Sequence, residues 1–144
     1  MSDSPRPDST QLALMEMNQV MAAAADEQLR HLALAQDEDY HYGEQGTWIA
    51  ILKEGDEYGP LWQEGDESTI HMRTYSLAGQ LYEDVVKTVQ LGKYQLPPAV
   101  DANFMEWYHG AQIRLYAPWY AAYGISGTET IPPYENVIIE IELQ

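Results

Sequence analysis

Residues 117–143 read APWYAAYGISGTETIPPYENVIIEIEL, and the two halves of that stretch ask for different backbones. Its end, Asn136-Val-Ile-Ile-Glu-Ile-Glu-Leu143, is rich in β-branched side chains and alternates apolar with acidic residues, as a closing strand with one buried face does. Its first half is punctuated by Pro118, Gly124, Gly127, Pro132 and Pro133, which break helices and strand interiors, and it reads as a loop. Just upstream, Ile113, Leu115 and Ala117 alternate through residues 111–117 and predict a further strand.

Working outward toward the N-terminus, Pro97-Pro98 suits the first turn of a helix that carries Val100, Phe104, Trp107 and Tyr108 on one face and stops at Gly110. Before it, Gly92 ends a short strand candidate over 87–91, and Leu81-Tyr82 is another. Ser68 to Ser76 alternates Ile70, Met72 and Thr74 with Thr69, His71, Arg73 and Tyr75, and Thr47 to Leu52 is a first strand ended by Lys53-Glu54-Gly55-Asp56. Strands in this order around one short helix predict an antiparallel sheet wrapped on that helix, an α+β arrangement.

Residues 12–36 contain neither Gly nor Pro and are rich in Leu, Met, Ala, Glu and Gln, so a long helix is expected, capped by Asp8, Ser9 or Thr10. Leu14, Met17, Met21, Ala25 and Leu29 recur on one stripe of it. That stripe fits packing on the chain's own sheet, dimerisation through the helix, or an adaptable methionine-bearing surface for a protein partner. Residues 1–7 hold two prolines and suit a tether. The expected division is a tether over 1–10, a helix and linker over 11–45, and the main domain over 46–144.

Seven Lys and Arg against 23 Asp and Glu give a formal charge of -16, a field that repels phosphate backbones and anionic lipid, so no nucleic-acid partner is expected. No apolar run is long enough for a membrane-spanning segment. With no cysteine there is no thiolate nucleophile or thiolate metal site, and His31, His41, His71 and His109 lack the local spacing of a zinc site. The acidic runs lack a calcium-loop pattern, and neither a nucleophile elbow nor a phosphate-cradling glycine loop is present. A metal, a cofactor and a hydrolytic triad are therefore not expected.

Ala122-Tyr123-Gly124, Ile131-Pro132-Pro133 and Ile141-Glu142-Leu143 follow one another as in the C-terminal half of FKBP-type peptidyl-prolyl cis-trans isomerases, which this segment resembles. Upstream, Leu91-Gly92-Lys93 resembles that family's strand-to-helix turn, Gly79-Gln80-Leu81-Tyr82-Glu83 its Gly-x-x-Phe-Asp, and Ile70-His71 its Val-His strand. The resemblance extends over 46–144 and implies an FKBP-like antiparallel sheet around a short helix, with an additional N-terminal helix. The tether, helix and linker also resemble the N-terminal extension of bacterial envelope FKBP-like lipoproteins. This implies the cell envelope or periplasm if a signal and a lipid-attachment Cys have been removed, and the cytoplasm otherwise.

The activity so implied is isomerisation of X-Pro amides in proline-containing peptides or folding clients. Rotation about the amide faces about 18–20 kcal/mol, and an apolar pocket lowers this by binding the twisted amide better than the planar one, without nucleophile or metal. The resemblance assigns the central roles to Tyr123, Glu83 and Tyr82, and a substrate-binding lining to Met72, Val89, Leu96, Val100, Ile131 and Ile139. It also marks departures: Val100 stands where the family has a tryptophan floor, Ile139 and Met72 replace aromatics, Glu83 replaces an aspartate, and Pro97 falls where a backbone N–H would bind a ligand carbonyl. A non-catalytic FKBP-fold binding or chaperone module is the alternative these departures suggest.

Overall fold

The computed structural model describes residues 8–144; residues 1–7 of the tether expected over 1–10 lie outside the described residues, and Ser9 and Thr10 belong to a helix instead. Helix α1 spans Ser9–Leu34, and Asp8 is its N-cap. The Asp8 carboxylate accepts from the Gln11 N–H at 2.7 Å while the Gln11 side chain accepts from the Asp8 N–H at 2.9 Å, satisfying two helix-end donors reciprocally.

Strands β1 (His41–Tyr42), β2 (Trp48–Lys53), β3 (Glu67–Ser76), β4 (Leu81–Gln90), β5 (Gln112–Ala117) and β6 (Val137–Leu143) form one antiparallel sheet in the order β1-β2-β5-β6-β3-β4. The closing strand thus sits in the middle, between β5 and β3, where Val137, Ile139, Ile141 and Leu143 are all at most 2% exposed. Three expectations are corrected. The strand at 47–52 is not the first, because the two-residue β1 precedes it and pairs His41 with Ile49 and Tyr42 with Trp48. The short candidates at 81–82 and 87–91 are one ten-residue strand, because β3 offers a continuous ladder and the intervening Asp84 turns outward to His71 and Arg73. The helix expected up to Gly110 is only Pro98–Asp101, named α2, followed by a single 3-10 turn at Phe104–Glu106.

Asn103 explains that interruption. Its amide donates to the Ala99 carbonyl at 2.8 Å and to the Glu44 carbonyl at 3.3 Å, and its Oδ1 accepts from the Glu44 N–H at 2.8 Å. With its side chain drawn back to Ala99 and across to a linker 59 residues away, the Asn103 backbone leaves the helical region at φ -125° and ψ -13°.

The inner face of the sheet packs on α2 and the following turn through Ile70, Ile113, Leu115, Val100, Phe104 and Trp107, giving the main core. The outer face carries α1: Leu29 and Ala33 bury against Tyr116, with Tyr40, Trp48 and Ile138 around them. Of the five-residue stripe read from the sequence, Ala25 and Leu29 are buried, whereas Leu14 and Met17 remain 46% and 43% exposed. Three polar links fasten α1 to the C-terminal loop: Tyr120 to Asp26 at 2.5 Å, Tyr134 to Asn18 at 2.6 Å and Asn136 to Gln28 at 3.1 Å.

Candidate functional site

Residues directly opposite on neighbouring strands share a face. The register pairs Thr74 with Glu83, Met72 with Val85 and Ile70 with Lys87, so Glu83, Val85 and Lys87 of the edge strand β4 accompany the buried side chains of β3 on the inner face. Beyond Gln90 the chain turns through 91–97 before entering α2. The Asp101 carboxylate accepts from the N–H groups of Gly92 and Tyr94, both at 3.0 Å, and the Gln95 side chain accepts from the Gln90 N–H at 2.8 Å. Opposite this turn, Ala122 and Tyr123 follow the 3-10 turn Trp119–Ala121. The strand face, the turn and this segment enclose a cleft of about 340 Å³.

Met72, Glu83, Leu96 and Tyr123 line this cleft. Val89, Val100, Ile131 and Ile139, at 4%, 0%, 0% and 0% exposure, lie in the core rather than on the cleft wall. Tyr82 is not on the wall either: its hydroxyl donates to the Glu135 carboxylate, a bond that holds the phenol above its ordinary pKa. Sequence reasoning missed Val85 and Lys87, which strict alternation from Glu83 finds once β4 is continuous. It also missed the turn residues Tyr94 and Gln95, Pro98 at the start of α2, and Ala122.

Burial raises the Tyr123 phenol above its usual pKa, and the nearby Glu83 charge acts in the same direction, so the hydroxyl keeps its proton and remains a donor. Its neighbour within the protein is Thr74 Oγ1 at 3.4 Å, a long contact that a better acceptor would displace. Glu83 Oε1 accepts from Thr130 at an equally long 3.4 Å. Lys87 forms no ion pair among the described residues. Pro97, on the wall, has no N–H to offer. What the cleft provides is therefore apolar side chains from Met72, Val85 and Leu96, the Tyr123 hydroxyl as a partly buried donor, and two opposite charges on β4.

A smaller concavity of about 150 Å³ lies on the outer face, where His71, Arg73, Glu140 and Glu142 crowd together. His71 and Arg73 are already occupied by Asp84 at 2.6 and 3.1 Å. Among the described residues no group of three or more His, Asp or Glu side chains could hold a metal ion, and no helix is long and apolar enough to cross a membrane.

No protein-family model matches the chain, and no curated protein sequence does. Solved structures do match. The chain is similar to a peptidyl-prolyl cis-trans isomerase from Pseudomonas syringae pv. tomato, with a TM-score of 0.71 and 18% identity over 99% of this chain and 96% of that one. It is likewise similar to FkpA from Escherichia coli, with a TM-score of 0.71 and 18% identity over 94% of this chain but 63% of that one, so it spans less than two thirds of FkpA. Element order, sheet topology and these two likenesses agree: the chain has the FKBP-like α+β fold, an antiparallel sheet around a short helix, with an N-terminal helix added.

Proposed function

We propose that the chain is a peptidyl-prolyl cis-trans isomerase acting on proline-containing segments of peptides or folding clients. The observation that carries this reading is the Tyr123 hydroxyl, a donor that lines the cleft beside Met72, Val85 and Leu96 and is only loosely engaged by Thr74. The prolyl ring sits against Met72, Val85 and Leu96, out of water. As the amide rotates, conjugation is lost and its carbonyl leaves the peptide plane, where Tyr123 donates to it. A hydrogen bond made better to the twisted than to the planar amide accelerates rotation, and desolvation adds to this because the twisted amide is the less polar species. No proton is transferred and no covalent bond is made.

The test is a prolyl-isomerisation assay on short Xaa-Pro peptides. Tyr123→Phe removes the donor while keeping the ring, and kcat/KM is expected to fall about 3- to 10-fold, the weight of one net hydrogen bond. Glu83→Ala is expected to change it less, because Glu83 stands on the rim. Wild-type rates equal to the uncatalysed rate would refute the enzyme.

Pro97 favours a second reading. A cleft wall without that N–H holds a ligand carbonyl less firmly, which suits a non-catalytic binding or chaperone module that grips exposed proline-containing chain without turning it over. Peptide binding without rate enhancement distinguishes this module from the isomerase.

A further inference from the structure

Tyr94 is an anomaly that the prolyl cleft alone does not explain. Its φ is +61°, a left-handed conformation that a bulky residue adopts at a cost, and its side chain is 96% exposed, so no packing holds it there. The conformation is enforced from below. Asp101 grips the N–H groups of both Gly92 and Tyr94, Gln95 is tied to the Gln90 N–H, and Lys93 is paired with Glu64 at 3.2 Å. A turn fastened at this many points fixes the backbone position from which the tyrosine projects.

That place is the boundary between two concavities. On one side is the cleft of about 340 Å³, and on the other a second of about 370 Å³, reaching toward Gln45 and Ala102. Tyr94, Leu96 and Pro98 line both. The second concavity exposes more apolar than polar surface, with Asp101 among its lining residues.

We infer that Tyr94 is a ligand-contacting residue: its ring lies over an extended proline-containing chain that runs from the prolyl cleft into the second concavity, which takes the residues flanking the proline. This rests on the reading that the first cleft receives a prolyl segment. The two concavities form one groove across Leu96 and Pro98, and the aromatic surface that the buried Val100 does not supply from below is supplied by Tyr94 from the rim. The ligand class is thus an extended segment of a protein client rather than a proline with one neighbour. Strain at Tyr94, with an unsupported ring at the groove's midpoint, is what a binding contact leaves in the unliganded protein.

The experiment is calorimetric binding of an eight-residue peptide with a central Leu-Pro, about 26 Å when extended, and of its four-residue core, about 13 Å. Wild type is expected to bind the longer peptide about 10-fold more tightly, and Tyr94→Ala and Tyr94→Gly to lose about 3- to 10-fold on the longer peptide. Tyr94→Phe retains the advantage. Tyr94→Gly, which relieves the backbone, is expected to raise the Tm by about 2 °C while it weakens binding, whereas a purely structural tyrosine would move both in the same direction. Equal binding of the eight-residue peptide by wild type and Tyr94→Gly overturns the inference and leaves the isomerase standing. Binding with the expected variant pattern but without isomerisation upholds the inference and refutes the isomerase, and wild type that binds neither peptide overturns both.

Discussion

Val100 shows at the scale of one residue how a motif position and a wall position differ. The resemblance places it where a tryptophan floor would be, which invites the idea that Val100→Trp rebuilds that floor. Val100 is fully buried beside α2's partners and does not border the cleft, so the larger ring enters a filled core. Overpacking of this kind costs about 1–3 kcal/mol. Val100→Trp is therefore expected to lower the Tm without improving peptide turnover, and a folded, equally stable and faster variant would contradict this. Glu83 and Tyr123 were legible as cleft residues because each sits in a recognisable short motif, and Met72 and Leu96 because each follows one within a few residues. Lys87 was hidden by reading β4 as two pieces, and Tyr94 by chemistry: a left-handed turn position signals itself through Gly, Asn or Asp, and nothing in a Lys-Tyr-Gln sequence announces one.

At the scale of elements, α1 divides into two unequal halves. Its C-terminal half buries Ala25, Leu29 and Ala33, while Leu12, Leu14, Met15, Met17 and Val20 of the N-terminal half are 43–68% exposed. Leu29→Ala removes a side chain with no exposed surface and is expected to destabilise the fold by about 2–4 kcal/mol. Leu14→Ser is expected to stay within about 0.5 kcal/mol of wild type in urea unfolding at low protein concentration. Equal effects would mean that α1 is not docked as described. The periodicity of α1 was readable from sequence, but where along its length the sheet begins was not, because that depends on Tyr116 and Ile138 arriving from distant strands. The premature end of α2 was hidden for the same reason, since Asn103 acts through Glu44. Asn103→Ala leaves the Glu44 N–H and the Ala99 carbonyl without their partner, and a loss of about 1–3 kcal/mol is expected in the same titration.

Over the whole molecule, the succession of strands from β2 onward was legible because the alternating patterns and the Gly and Pro breaks lie in plain view, whereas the two-residue β1 and the pairing order β5-β6-β3 rest on contacts that no local pattern carries. Charge acts at this scale too. A formal charge of -16 on 144 residues opposes compaction, while the ion pairs that resist it are exposed or half-exposed. Each such pair contributes about 0–1 kcal/mol and is itself weakened by salt. The repulsion is summed over many carboxylates, and raising ionic strength from about 0.01 M to 0.15 M shortens the screening length from about 30 Å, comparable to a small domain, to about 8 Å. Screening should therefore relieve more repulsion than attraction, and the Tm at pH 7 is expected to rise by a few degrees, on the order of 3–6 °C. Acid acts through particular groups. The Asp84 carboxyl is held below its ordinary pKa by hydrogen bonds from His71 and Arg73, so its contribution is present above the unfolded-state value and is lost as pH falls through the folded one, below about pH 4. Asp84→Asn should therefore flatten the acid limb of the stability profile and leave the salt effect at pH 7 in place. A Tm that falls with added salt would show instead that the surface pairs outweigh the net charge.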